Sequence, residues 1–150
     1  MTQKIDDLDI KILRELRKNA RQSFYDIAAK FDVAEGTIYN RVSKLQEMKV
    51  IEGYSAKIDF TKLGYDFSVI IGISVEGGYL VEIEEDIAKE KNISAVYDVT
   101  GEYDVLIIGR FRTREELDGF IKKLLSMKHV KRTYTMLVLN VRKDVRGVEI

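Results

Sequence analysis

Apolar residues recur at helical spacing through the first fifty or so positions and at strand spacing after them. Ile5, Leu8, Ile12, Leu13 and Leu16 form the inner side of a first helix, capped by Asp6 or Asp7, running to about Lys18 and stopped near Asn19. Phe24, Ile27, Ala28 and Phe31 form the apolar side of a second. Ser23 is its N-cap, and Asp26 stands three residues on, the spacing of a capping box with Asp in the Glu place. Asp32-Val33-Ala34 is a turn, and Ile38, Val42 and Leu45 are the buried stripe of a third helix. Together these make a trihelical unit over residues 1–50, organised around the helix pair of 23–50. Past Val50 the period changes. Residues 51–59 carry strand-forming side chains with partial alternation, and Gly64 marks a break. The span 51–64 therefore reads as a linker strand leading to a second domain, 65–150.

That second domain runs strand, helix, strand, strand, helix, strand. Phe67, Val69, Ile71, Ile73 and Val75 alternate, and Gly77-Gly78 turns the chain. Leu80, Ile83 and Ile87 return to helical spacing, among acidic residues that read as a solvated face. Ser94 to Thr100 is a strand, and Gly101-Glu102 turns it into another through Val105, Ile107 and Phe111. Glu115 to Met127 is a helix with Leu117, Phe120, Ile121 and Leu124 inward. Val130 to Val141 is a last strand, apolar on both alternating sets: Thr133, Thr135, Leu137, Leu139 and Val141, and Tyr134, Met136 and Val138. The order is that of a split βαβ, ferredoxin-like unit, so the fold class is α+β. Its helices cover one sheet face. The apolar residues left on the other face demand a cover, and a second copy of the same sheet is the economical one. An obligate homodimer with two helical heads is expected.

The outward side of the third helix carries the chemistry. Asn40 and Lys44 lie opposite the buried stripe, with Thr37 and Arg41 on one flank and Tyr39 and Ser43 on the other. A helix-turn-helix places such a face in the major groove of double-stranded DNA. Arg41 and Lys44 suit phosphate or guanine, Asn40 suits adenine, and Tyr39 or Thr37 suits phosphate or a thymine methyl. Ser23 and Tyr25, opening the preceding helix, are candidate phosphate anchors. The plainer reading is that any amphipathic helix pair shows a polar face, with Arg41 bracing the helix against its neighbours.

Charge and composition narrow the choice. Lys plus Arg equals Asp plus Glu, 25 each, so bulk charge does not favour nucleic acid. Residues 1–50 hold 10 basic against 8 acidic groups, a slight local excess. Charged residues make up 33% of the chain, above the usual ~25%, which hints at a hot growth environment. With no cysteine and His129 as the single histidine, thiol catalysis, disulfides and His- or Cys-ligated metal sites are excluded, and no cofactor is expected. No signal peptide or membrane-length apolar run is apparent, and a cytoplasmic location is expected, without membrane association.

The head sequence LDIKILRELRKNARQSFYDIAAKFDVAEGTIYNRVSKLQEMKVIEGYSAKID, the βαββαβ order, TGEYD at 100–104 and RTYT at 132–135 together resemble the Lrp/AsnC family of feast/famine transcriptional regulators. The resemblance covers almost the whole chain. It implies a winged-helix-like helix-turn-helix head and an ACT-like body for effector binding and oligomerisation. It puts Gly36, Thr37, Tyr39, Asn40, Arg41 and Lys44 at or near the groove. It also implies a free amino acid bound between neighbouring dimers at Thr100, Gly101, Glu102, Tyr103 and Asp104, with dimers assembling into a tetramer, octamer or larger ring. Gly101 would expose backbone N–H groups to a carboxylate, Asp104 and Asp118 would hold an ammonium, and Thr133 and Thr135 would supply hydrogen bonds. The plainer reading is a simple hairpin turn, with Asp104 bonded to its own backbone. Two departures stand out. Ala34 replaces a frequent capping serine, and Lys49 replaces a common glycine, so the chain is expected to leave the third helix by another route. The alternatives are an architectural DNA binder without effector and, less favoured with a single histidine, a tetrapyrrole decarboxylase of similar architecture.

Overall fold

The structure, a computed structural model, describes residues 4–144 and 147–150. It divides into two compact units, one reaching to Lys57 and including the residues from Gly147 on, the other spanning Ile58–Asp144.

The first unit holds α1 (Asp7–Lys18), α2 (Phe24–Phe31) and α3 (Glu35–Glu47). Asp6 caps α1. Its carboxylate accepts from Asp9 N–H at 3.0 Å, and the Asp9 carboxylate accepts from Asp6 N–H at 3.1 Å, a full reciprocal box. Ser23 caps α2 by accepting from Asp26 N–H at 3.0 Å. Here the box is not reciprocal, because the Asp26 carboxylate accepts from the Ser23 hydroxyl, at 2.6 Å. Ile12, Leu16, Ile27, Ala28, Ile38 and Val42 form the core, with Leu8, Phe24, Phe31, Val33 and Ile51 packed around it. Most of the inner sides read from spacing meet in this cluster, but Ile5 precedes α1 and is exposed, and Leu13 and Leu45 lie outside the cluster.

The exit from α3 and the segment 51–59 both depart from what the sequence suggests. Lys49 itself takes the left-handed conformation, at φ +58°, that a glycine would occupy. The amides of Val50 and Ile51 then both close on the Leu45 carbonyl, at 2.9 and 3.1 Å. The chain leaves α3 by the glycine route without glycine. Residues 51–59 make no strand within the chain, because an extended segment becomes a strand only when a neighbour accepts its hydrogen bonds.

Among the described residues the second unit is an antiparallel sheet in the order β2-β3-β1-β4. Its elements are β1 (Phe67–Val75), α4 (Leu80–Ala88), β2 (Ile93–Asp98), β3 (Val105–Phe111), α5 (Arg114–Ser126) and β4 (Val130–Leu137). Val69, Ile71, Ile73, Val105, Ile107 and Phe111 face the helices and bury against Ile83, Ile87, Phe120 and Leu124. The opposite face is set by the register. Ile70 stands between Ile108 and Met136, and Gly72 between Leu106 and Tyr134. Tyr97 of β2 pairs with Leu106. This second face carries no helix, and Tyr97 and Tyr134 are 52% and 55% exposed on it. The last strand is shorter than expected. It ends at Leu137, opposite Val69, with one further bond, Val138 N–H to the Ser68 carbonyl at 2.9 Å. Leu139 and Val141 are left exposed.

Candidate functional site

The outer side of α3 is built on a clamp. Asp9 of α1 is wholly buried. Besides its capping bond, its carboxylate accepts from the Arg41 guanidinium at 3.1 Å and lies 3.7 Å from the Lys44 ammonium. Arg41 also pairs with Asp6, and Lys44 lies 3.5 Å from the Lys4 carbonyl. The Arg41 hydrogen bond, aided by the capping amide of Asp9, pulls the Asp6 carboxyl down to about 2. The same pairing, first with Asp6 and then with Asp9, raises the Arg41 guanidinium above its ordinary value. Both cations that charge alone assigned to DNA are therefore turned toward α1. The bracing reading of Arg41 describes the geometry in the free chain.

Of the residues assigned to the groove, those that remain outward are uncharged. Asn40 is exposed, and Tyr39 is 59% exposed with its ring edge against Phe24, centroids 6.4 Å apart. Thr37 is half-buried. A Cβ added to Gly36 would meet nothing within 4 Å, so no neighbour within the chain requires glycine there. Ala34 caps α3 without a side-chain bond. Tyr25 is 68% exposed, whereas the Ser23 hydroxyl is already engaged with Asp26. Behind this face Glu15 accepts from Lys18 and Lys30, which draw its carboxyl down to about 2. Asp9 was not singled out from the sequence. The available signal was an acidic pair three residues apart opening a helix, opposite cations on another.

The β2–β3 loop is the second candidate. Gly101 sits at φ +123°, a conformation that disfavours side chains. Asp104 is fastened to β1: its N–H donates to the Ile73 carbonyl at 3.0 Å, and its carboxylate accepts from Val75 N–H at 2.7 Å. The backbone engagement expected of Asp104 is thus real, but with another strand and not with itself. Glu102 faces Arg132 at 3.5 Å, and Thr100 is exposed. Tyr103 stacks with Tyr134, centroids 6.0 Å apart. Thr133 and Thr135 pair with Ile73 and Ile71, so they share the helix-side face, opposite Tyr134. Asp118 lies one turn into α5 and is paired with Lys122 at 2.6 Å. Within one chain, then, Glu102 and Tyr103 meet β4 on the helix-free face, while Thr133, Thr135 and Asp118 belong to the other side.

Among the described residues no cluster of His, Asp and Glu is suited to a metal, and no helix is long and apolar enough to cross a membrane.

Comparison with known proteins is consistent along the chain. The profile of the AsnC-type helix-turn-helix domain matches residues 5–46, and that of the Lrp/AsnC ligand binding domain matches residues 68–148. An HTH-type transcriptional regulator of Pyrococcus furiosus is 48% identical over 140 residues, covering 93% of this chain and 95% of that one. The HTH-type transcriptional regulator FL11 of Pyrococcus horikoshii is 34% identical over 146 residues, covering 97% of each. Among solved structures, that of AsnC from E. coli superposes with a TM-score of 0.91 at 28% identity, covering 98% of this chain and 99% of that one.

Proposed function

The chain belongs to the Lrp/AsnC family of transcriptional regulators, and from that premise we propose how its two units divide the work. It is a DNA-binding regulator and not an enzyme. In our reading α3 enters the major groove with Gly36, Thr37, Tyr39 and Asn40 toward the bases. Tyr25 and Ser23 approach the phosphates. Arg41 and Lys44 serve first by aiming the helix through Asp9, and second by adding positive potential near the backbone. The observation that carries this is the clamp: an α3 held by a buried carboxylate on one side and bare on the other, with Tyr39 and Asn40 outward.

The body responds to a small molecule. Its reading as an amino-acid sensor is supported by the exposed Gly101 turn, a backbone conformation that can offer amides to a carboxylate, and by exposed Glu102, whose carboxylate suits an ammonium. Thr100, Tyr103 and Asp104 complete the loop. Thr133, Thr135 and Asp118 lie too far round the unit to join it from the same chain, so they enter the site only across an interface between copies. The helix-free sheet face is the dimer surface, and dimers assemble further into a tetramer, octamer or larger ring. Effector binding shifts regulation through unequal affinity for the possible assemblies. Such a protein acts in the cytoplasm, where its DNA is.

The test of the head is DNA affinity of Tyr39→Ala and Asn40→Ala, each checked for intact helicity. Each is expected to weaken specific binding by about 1–3 kcal/mol, the range of a lost base contact. Unchanged affinity in both would remove the outer side of α3 from the interface. Binding that ignores every amino acid would instead favour the architectural reading.

A further inference from the structure

We propose that Tyr103 is a positioning residue that ties the β2–β3 loop to the helix-free face of the sheet, so that a ligand on the loop and a second copy on the face act on one movable part. The inference rests on the loop and dimer reading above and names the residue that joins the two.

Gly72 lies inside β1, between Ile71 and Ile73, where a glycine weakens a strand and marks a close approach. The approach is visible. A Cβ built on Gly72 would lie 2.6, 2.7 and 2.8 Å from Cγ, Cδ2 and Cδ1 of Tyr103. The ring therefore lies on bare backbone, and any other residue at 72 would evict it. Gly72 is buried although it is on the face without helices, and the half-buried Tyr103 is what covers it. Tyr134, the cross-strand partner of Gly72, stacks against the same ring with planes 23° apart. Burial raises the Tyr103 phenol pKa, in keeping with a ring set into the face.

The surrounding contacts make the ring consequential. Asp104, next in the chain, is bonded twice to β1, so Tyr103 is anchored on one side. On the other side Glu102, among the described residues, reaches only Arg132, at 3.5 Å and exposed, and Gly101 permits the chain to swing. A ligand drawing on Glu102 and the Gly101 amides pulls on the free side of the ring. Lifting the ring from Gly72 opens a hole in the middle of the face, beside Leu106 and Tyr134, and changes the surface a partner copy must match. That difference in contact is what gives a ligand unequal affinity for two assemblies.

The experiment uses the full chain as wild type, Gly72→Ala, Tyr103→Ala, Gly72→Ala/Tyr103→Ala and Tyr103→Phe. Self-association is measured by sedimentation equilibrium, with and without each of the twenty amino acids. Gly72→Ala is expected to weaken association at least about tenfold by overpacking. The double variant is expected to be no weaker than Tyr103→Ala, because the three atoms nearest the added methyl all belong to the ring. Tyr103→Phe keeps the ring and is expected to rescue the association that Tyr103→Ala weakens, while Gly72→Ala and Tyr103→Ala lose the amino-acid-dependent shift. A neutral Gly72→Ala, or single effects that multiply in the double variant, would overturn the tie. So would a normal ligand response in Tyr103→Ala. A wild type that associates but answers to no amino acid removes the ligand reading, and the four-variant cycle still decides the tie. A wild type that stays monomeric overturns both.

Discussion

Replacing Asp9 by alanine tests the clamp that aims α3. Three interactions disappear. The capping bond to Asp6 N–H contributes about 1 kcal/mol. The charge-assisted bond to Arg41 contributes roughly 1.5–3 kcal/mol. Lys44, at 3.7 Å and 25% exposed, adds a few tenths, discounted for solvent screening. Stranding a buried charge by removing its partner costs about 3–5 kcal/mol, but here Arg41 keeps Asp6 and both cations can rehydrate. The expected loss is therefore the sum of these contributions, about 3–4 kcal/mol. Urea unfolding of the full chain followed at 222 nm measures it, and hydrogen exchange of α1 and α3 amides assigns it to the head. Specific DNA binding should fall with it, since α3 is no longer held at one angle. A loss below about 0.5 kcal/mol, the range of an ordinary surface change, would refute the reasoning.

Three more outcomes follow from the same geometry. Lys49→Gly should stabilise the head by about 0.5–1 kcal/mol, because lysine occupies a left-handed conformation that glycine adopts freely; the urea midpoint reads it. Ala34→Ser should add ~0.5–2 kcal/mol by giving α3 the side-chain cap it lacks, read the same way. Asp6 and Glu15, both drawn down to about 2, are more acidic folded than unfolded. Their contribution is whole above the ordinary carboxylate range and is lost as pH falls from there toward about 2. Acid titration followed at 222 nm should show helix loss in that window, moved to higher pH in Arg41→Met.

Much of this architecture was legible because short-range rules decide it. The caps at Asp6 and Ser23, the stop at Asn19 and most of the inner sides of α1–α3 follow from local spacing, and the structure places them as read, except that Ile5 precedes α1 and is exposed. The βαββαβ order followed from the change of period. What was not legible depends on partners distant in sequence. Arg41 looks like a phosphate cation until Asp9, 32 residues earlier, is brought against it. Asp104 looks like an ammonium ligand until the Val75 amide arrives from β1. Residues 51–59 have strand character and no strand beside them, and β4 ends at Leu137 although its apolar alternation runs on to Val141. Gly72 shows only as an unusual glycine in a strand, since nothing local says that Tyr103 will lie on it.

The role of Asp104 changes how the loop should be probed. Asp104→Ala would loosen the β1 attachment as well as any ligand contact, so a lost response would be ambiguous. Glu102→Gln removes charge from an exposed side chain whose single partner among the described residues is Arg132, at 3.5 Å, and leaves the strand bonds alone.

The most direct measurement is the mass of the protein by light scattering, together with its DNA affinity, across the twenty amino acids. A ligand at about 100 times its dissociation constant stabilises the bound form by ~2.7 kcal/mol, enough to move either reading. The account predicts that at least one amino acid changes both mass and DNA affinity, and that Glu102→Gln blunts the change. A fixed mass and a fixed affinity across the panel, in a protein that still binds DNA, would contradict it.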